Sequence, residues 1–150
     1  MDVEIREEQL NEALAAELIA LSEDWEAEQS CTGYRKNGWD DLKDERFFLA
    51  REDGELIGYL FGHLEKAEKM SSVMPEGTPY FELEELYVRP ERRSQGLGRA
   101  LFEHAEAELK AEGVPMLLLG TATKDWRRIL HFYLEELGMD FWSARLYKRL

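Results

Sequence analysis

The segment that most constrains this chain runs Tyr87-Val88-Arg89-Pro90-Glu91-Arg92-Arg93-Ser94-Gln95-Gly96-Leu97-Gly98-Arg99-Ala100. Mixed apolar alternation over Tyr80–Val88 predicts a strand, ended by Arg89-Pro90. Behind the glycines, Leu97, Leu101, Ala105 and Leu109 fall at helical spacing, predicting a helix from about Gly98 to Glu112 that Gly113 and Pro115 stop. A strand that feeds a helix through Gly96 and Gly98 brings three properties together. The helix start offers unpaired backbone N–H groups and the positive end of a dipole. Glycines let an anion approach the backbone closely. Arg92, Arg93 and Arg99 add mobile positive charge. Together they point to a phosphate or a pyrophosphate.

Two other phosphate loops fail on named residues. A P-loop ends in Gly-Lys-Ser/Thr, whereas Gly98 is followed by Arg99-Ala100. A dinucleotide fingerprint needs a glycine where Leu101 stands and an acid after the next strand, where the chain has Thr121 and Thr123.

Around this segment the pattern resolves into one domain over residues 1–150, without repeats or composition breaks. Val3–Arg6 is predicted as a strand and Glu8 to about Gln29 as a helix with Leu10, Leu14, Leu18 and Leu21 on one stripe, Ser22 being a point of interruption. Trp39–Glu45 suits a short helix. Phe47–Arg51 and Leu56–Leu64 suit two strands joined at Asp53-Gly54, a strong hairpin signal. Met116–Ala122 is wholly apolar, as in a strand buried on both faces. Lys124–Leu137 is predicted as a helix closed by Gly138, and Phe141–Arg149 as a last strand. The order β-α-α-β-β-β-α-β-α-β describes an α+β fold, antiparallel first and with a right-handed parallel crossover later.

Charge narrows the partners. The formal net charge is −13, and residues 1–29 hold ten acids against Arg6 alone. Such a chain repels a nucleic-acid backbone, while solubility or attraction of a cationic substrate both fit. No apolar run approaches the ~20 residues of a membrane span. Met1-Asp2-Val3-Glu4-Ile5-Arg6 lacks the basic-then-apolar pattern of a leader, and the single Cys31 suits a reducing cytoplasm. His63, His104 and His131 stand singly without ligand spacing, so no metal site is expected.

With Arg93, Gly96 and Gly98 matching Arg/Gln-x-x-Gly-x-Gly/Ala, set in Leu86-Tyr87-Val88-Arg89-Pro90-Glu91 and Arg99-Ala100-Leu101-Phe102, the chain resembles the GNAT superfamily of N-acetyltransferases. The likeness in element order extends from Val3 to Phe141. It implies a central mixed, mostly antiparallel sheet of about six to seven strands with about four helices. It also implies acetyl-CoA as co-substrate, its pyrophosphate held by Arg93, Ser94, Gln95, Gly96, Leu97, Gly98 and Arg99. The pantetheine arm would pair with the backbone of Leu86, Tyr87 and Val88 like an added strand.

Acetyl transfer to an amine needs a base for the ammonium and an acid for the departing thiolate. Phe132-Tyr133…Gly138-Met139 is similar to the family's Phe-Tyr-x-x-x-Gly-Phe, which implies Tyr133 as the acid. Where relatives often have Asn, seven residues before the Tyr, this chain has Trp126, with Asp125 beside it. Glu84 stands where polyamine-type relatives place a base, with Glu82 and Glu85 as alternatives; in a regular strand Glu84 and Glu85 face opposite sides. Trp25, Tyr34 and Trp39 are candidates either for the acceptor pocket or for the core. The implied acceptor is a small cationic primary amine. Alternatives are a protein N-terminus or lysine, or a silent CoA-binding module. Because one strand follows Gly138 where relatives often have two, part of the acceptor pocket is expected to be open or supplied by a second subunit, as in a homodimer.

Overall fold

In a computed structural model that describes residues 2–150, the mixed α+β architecture is present with five strands and four α-helices. Met1, the first residue of the stretch read for a leader, lies outside the described residues. The strands are β1 (Val3–Glu8), β2 (Arg46–Glu52), β3 (Glu55–Lys66), β4 (Pro79–Val88) and β5 (Met116–Leu119), in sheet order β1-β2-β3-β4-β5. The first four pair antiparallel and β4 pairs parallel with β5. The helices are α1 (Glu12–Glu28), α2 (Trp39–Leu42), α3 (Leu97–Ala111) and α4 (Trp126–Leu130), the last running into a π-helical turn at His131–Glu136.

Two apolar layers sandwich the sheet. Phe47 and Leu49 face α1 and α2, packing with Leu14, Leu18, Leu21 and Leu42. Phe48 and Ala50, pointing the other way as strand alternation requires, meet Leu101, Phe102, Ala105 and Leu109 of α3. Helix α1 starts later than the leucine stripe predicts. Asn11 caps it, accepting the Leu14 N–H at 2.8 Å, while Glu8 is still in β1 opposite Phe47. Ser22 does not interrupt it: its hydroxyl donates to the Ile19 carbonyl and accepts the Asn37 N–H. The Asp53-Gly54 hairpin forms as read, with φ of 51° and 81°.

Four expectations are corrected. The sheet holds five strands among the described residues, not six to seven. The segment Phe141–Arg149 forms none of them; a strand exists only against a partner edge, and here Leu146 and Tyr147 are 95% and 75% exposed. β5 stops at Leu119, and its four residues are half-buried, not buried on both faces.

The fourth correction concerns β4. Its register with β3 steps from Phe61↔Glu85 to Gly62↔Leu83, so Glu84 is an extra residue, a bulge. The bulge reverses side-chain parity: Phe81 and Leu83 point to the α3 layer, but so do Leu86 and Val88, while Tyr87 turns to the α1 layer. Gly62 makes the bulge possible. A Cβ there would lie 2.1 Å from the Glu82 carbonyl oxygen and 2.7 Å from the Phe81 ring. We expect Gly62→Ala to cost about 3 kcal/mol, read as a lower urea midpoint at unchanged slope; an unchanged midpoint would show that the bulge yields freely.

Candidate functional site

β4 and β5 pair only over Tyr80–Leu83 and Met116–Leu119, then part. From Glu84 to Val88 the backbone groups of β4 that face away from β3 have no strand partner among the described residues. The gap is the floor of a cleft of about 740 Å³. It is lined by β4 from Leu83 to Val88, Ser94 and Gly96–Arg99 of the loop, the segment after β5, Tyr133 and the loop after α1; Gln95 is not in the lining and accepts a bond from Arg92 Nε at 3.1 Å.

At one end the cleft meets the N-terminus of α3. Gly96 is the N-cap, with φ 82°, and no side chain caps it. The first backbone bond of this helix runs from the Ala100 N–H to the Gly96 carbonyl, which leaves the N–H groups of Leu97, Gly98 and Arg99 without intrahelical acceptors. Ser94 also takes a positive φ, 61°, and nothing lies within 4 Å of where a Gly96 Cβ would stand. The loop expected to hold a pyrophosphate is thus a concave, uncapped, positive helix end that opens on the cleft.

The arginines are less free than a sequence suggests. Arg92 is paired with Glu52 at 2.6 Å and Arg99 with Glu103. Arg93 pairs with Glu28 at 2.8 Å, donates to the Val88 carbonyl at 2.9 Å, and lies 5.2 Å from the Tyr87 ring centre. Among these, Arg92, Arg93 and Arg99 line the cleft.

Tyr133 lies on the π-helical turn, packed near Phe102 and Phe132. Such wide turns re-aim side chains and recur at functional sites. Burial, with a smaller contribution from Cys31, pushes its phenol up to about 12. It therefore stays protonated through the neutral range. Cys31, Gly33 and Tyr34 line the cleft facing it, because the Thr32 N–H donates to the Ala122 carbonyl and ties that loop to the strand exit.

Beyond Tyr133 the lining turns acidic. The bulge puts both Glu84 and Glu85 on the α1 side, contrary to the alternation of a regular strand. Glu84 is half-exposed, 3.8 Å from His63 Nδ1. Glu85 is enclosed: its carboxylate accepts from Tyr59 Oη at 2.8 Å, Tyr34 Oη at 3.0 Å and Asn37 Nδ2 at 3.1 Å. Burial raises the Glu85 carboxyl above its usual range despite those donors. Glu82 is likewise raised, by burial and then by Glu84. His63 donates to Glu45 at 2.9 Å and lies 3.2 Å from Glu65; burial opposes its charge, but these carboxylates outweigh burial and raise it.

Sequence reading missed Glu28, Asn37 and Tyr59. Glu28 follows Trp25 by three residues, a spacing that puts both on one face of α1 and could have flagged it; Tyr59 sits in an apolar strand and carries no local signal. Trp25 and Tyr34, left open between pocket and core, line the cleft, whereas Trp39 does not. Asp125, beside Trp126, is bonded to Arg128 at 2.8 Å.

Comparison with known proteins bears on the family and the fold. The model of the acetyltransferase (GNAT) family matches residues 8–139. A mycothiol acetyltransferase of Frankia alni is 35% identical over 98 residues, which cover 63% of this chain but only 27% of that protein. Among solved structures, an acetyltransferase of Trypanosoma brucei superposes with a TM-score of 0.69 at 19% identity, over 99% of this chain and 100% of that one. An aminoglycoside acetyltransferase from an uncultured soil metagenomic sample superposes with 0.70 at 17% identity, over 99% and 96%. At these identities the two structures speak for the fold alone.

Proposed function

The chain belongs to the acetyltransferase (GNAT) family, and from that membership we propose that residues 1–150 form one domain that acetylates the primary amine of a small cationic molecule. The observation that carries this reading is the parting of β4 and β5 into a cleft with an uncapped positive helix end at one side and two carboxylates at the other. The residues present suit acetyl-CoA. The α3 N-terminus with Arg93 and Arg99 would hold the pyrophosphate, and the open edge of Leu86–Val88 would pair with the pantetheine amides. When bound, it supplies an acetyl group activated as a thioester.

The protein's own groups then divide the proton work. Glu84 is our choice for the base: it is the bulge residue, half-exposed, and among the described residues its carboxylate has no hydrogen-bond donor beyond the distant His63. Glu85 already accepts bonds from three side chains, so it suits holding the loop and attracting an ammonium. Its raised affinity for protons favours it as the second candidate. Tyr133, protonated and cleft-facing, is the acid. The run of Glu82, Glu84 and Glu85, with Glu45 and Glu65 nearby, supports a cationic acceptor over a neutral one. The names of a mycothiol and an aminoglycoside acetyltransferase among the relatives support a small acceptor as well. The free thiol of Cys31 fits a reducing compartment such as the cytoplasm.

Release of free thiol from acetyl-CoA against a panel of polyamines, aminoglycosides and amino-acid derivatives tests the activity. CoA binding without turnover on any amine would favour a silent module instead. Glu84→Gln should lower kcat/KM roughly a hundredfold, the low end for a general base. If Glu85→Gln shows that loss and Glu84→Gln does not, the base is Glu85.

A further inference from the structure

Four side chains form a continuous run of contacts from the cofactor loop to the loop after α1. Arg93 lies 5.2 Å from the Tyr87 ring centre; Tyr87 stacks on Trp25 at 5.1 Å and 24°; Trp25 stacks on Tyr34 at 4.4 Å and 25°. Both ends are tied by carboxylates. Glu28 forms an ion pair with Arg93, accepts one bond from it and one from Tyr87 Oη, and Glu85 takes one from Tyr34 Oη. Trp25 Nε1 also donates to Ser30 Oγ at 3.2 Å, at the start of the same loop. The loop is anchored further on, where the Lys36 N–H donates to Glu26 and the Asn37 N–H to Ser22 Oγ. Trp25 is thus the ring between Tyr87, which answers to Arg93, and Tyr34, which answers to Glu85.

We propose that Trp25 is a positioning residue that couples the two substrate sites, so that an anion drawn to Arg93 orders the acceptor-side loop at Gly33–Asn37. Here we build on our assignment of Arg93 to the pyrophosphate. The physical reason is competition. Among the described residues Arg93 is paired with Glu28 alone, and a pyrophosphate that claims the guanidinium must loosen that pair. Glu28 keeps its bond from Tyr87, so the change reaches the Tyr87 ring and, through the stacked faces, Tyr34. The stacked rings give a shift at Arg93 a continuous path to Tyr34, and by linkage an acceptor loop ordered in this way raises CoA affinity by the same factor. Glu28 and Trp25, three residues apart on α1, lie on one face of that helix.

Hydrogen–deuterium exchange of the Gly33–Asn37 amides, with and without saturating CoA, tests this. In the wild type CoA should slow their exchange roughly fivefold or more, the lower end of typical coupling between sites. Trp25→Ala should bind CoA yet lose that protection, and Trp25→Phe, which keeps a stacking face, should restore it. Glu28→Gln, which leaves the ring stack whole, should also lose most of it; this variant decides the matter if Trp25→Ala is unfolded. Protection that is absent in the wild type despite CoA binding, or equal in wild type and Glu28→Gln, overturns the coupling. Failure of the wild type to bind CoA at all would remove the pyrophosphate assignment, and the coupling with it.

Discussion

Replacing Tyr133 with phenylalanine is expected to lower kcat roughly a thousandfold, within the range for a lost general acid, while CoA affinity changes by no more than about twofold. The two effects separate because the ring and the hydroxyl do different things. The ring packs near Phe102 and Phe132 within the layer that includes Leu137 and Met139, and phenylalanine preserves that packing. The hydroxyl is held at a pKa of about 12 by burial, then by Cys31. At that value it is protonated throughout the neutral range, so it carries the proton that the departing thiolate must take up. The rate of the wild type should therefore show no alkaline fall from this group below about pH 11, since its ionisation begins near its own pKa. Steady-state rates with acetyl-CoA and the best amine of the panel, beside calorimetric titration with CoA, make the check. An unchanged kcat would remove Tyr133 from the chemistry and leave it a packing residue of the cleft wall.

Gly96→Asp is expected to weaken CoA binding roughly a thousandfold, about 4 kcal/mol, with the fold intact. Position 96 has φ 82°, the left-handed region that a side chain adopts at a cost of roughly 1–2 kcal/mol. A Cβ there meets no atom within 4 Å, so the substitution strains the backbone without a steric clash in the free protein. The larger effect is electrostatic. An aspartate would put a negative charge at the positive end of α3, where the unpaired N–H groups of Leu97, Gly98 and Arg99 begin. Gly96→Ala separates the contributions: its Cβ stands where an anion would approach the helix end but carries no charge, and it should lose roughly tenfold, the equivalent of about 1.4 kcal/mol. Equal affinities for the alanine and aspartate variants would mean that no anion approaches this helix end. Unchanged affinity in both would move the cofactor elsewhere in the molecule.

Much of the fold follows from local patterns, and those patterns were legible. The hairpin at Asp53-Gly54, the α3 stripe, the strand before Arg89-Pro90 and the parallel crossover all express short-range rules: φ preference, helical period, strand alternation. Boundaries slipped where a cap or a partner decided them, as at Asn11, which delays α1, and Glu8, which is held in β1 by β2. Phe141–Arg149 has a strand's composition and no strand, because an edge to pair with is not a property of the segment itself.

The candidate site divides in the same way. The Gly96–Gly98 loop could be read as an anion site from residues alone, because a glycine, a helix start and neighbouring arginines act within a few residues of one another. Which carboxylates reach the cleft could not be read. Regular alternation puts Glu84 and Glu85 on opposite sides, and only the register step against Gly62 brings both to the α1 face. Glu28, 65 residues before Arg93, could not be matched to it from sequence either. By itself, then, the sequence determined the order of elements from β1 to α4 and the loop at the head of α3, since each rests on forces between neighbours in the chain. Only the tertiary structure decided where β4 and β5 part, which acids face the gap and what Arg93 holds, since each depends on groups that pairing and packing bring together from distant parts of the chain.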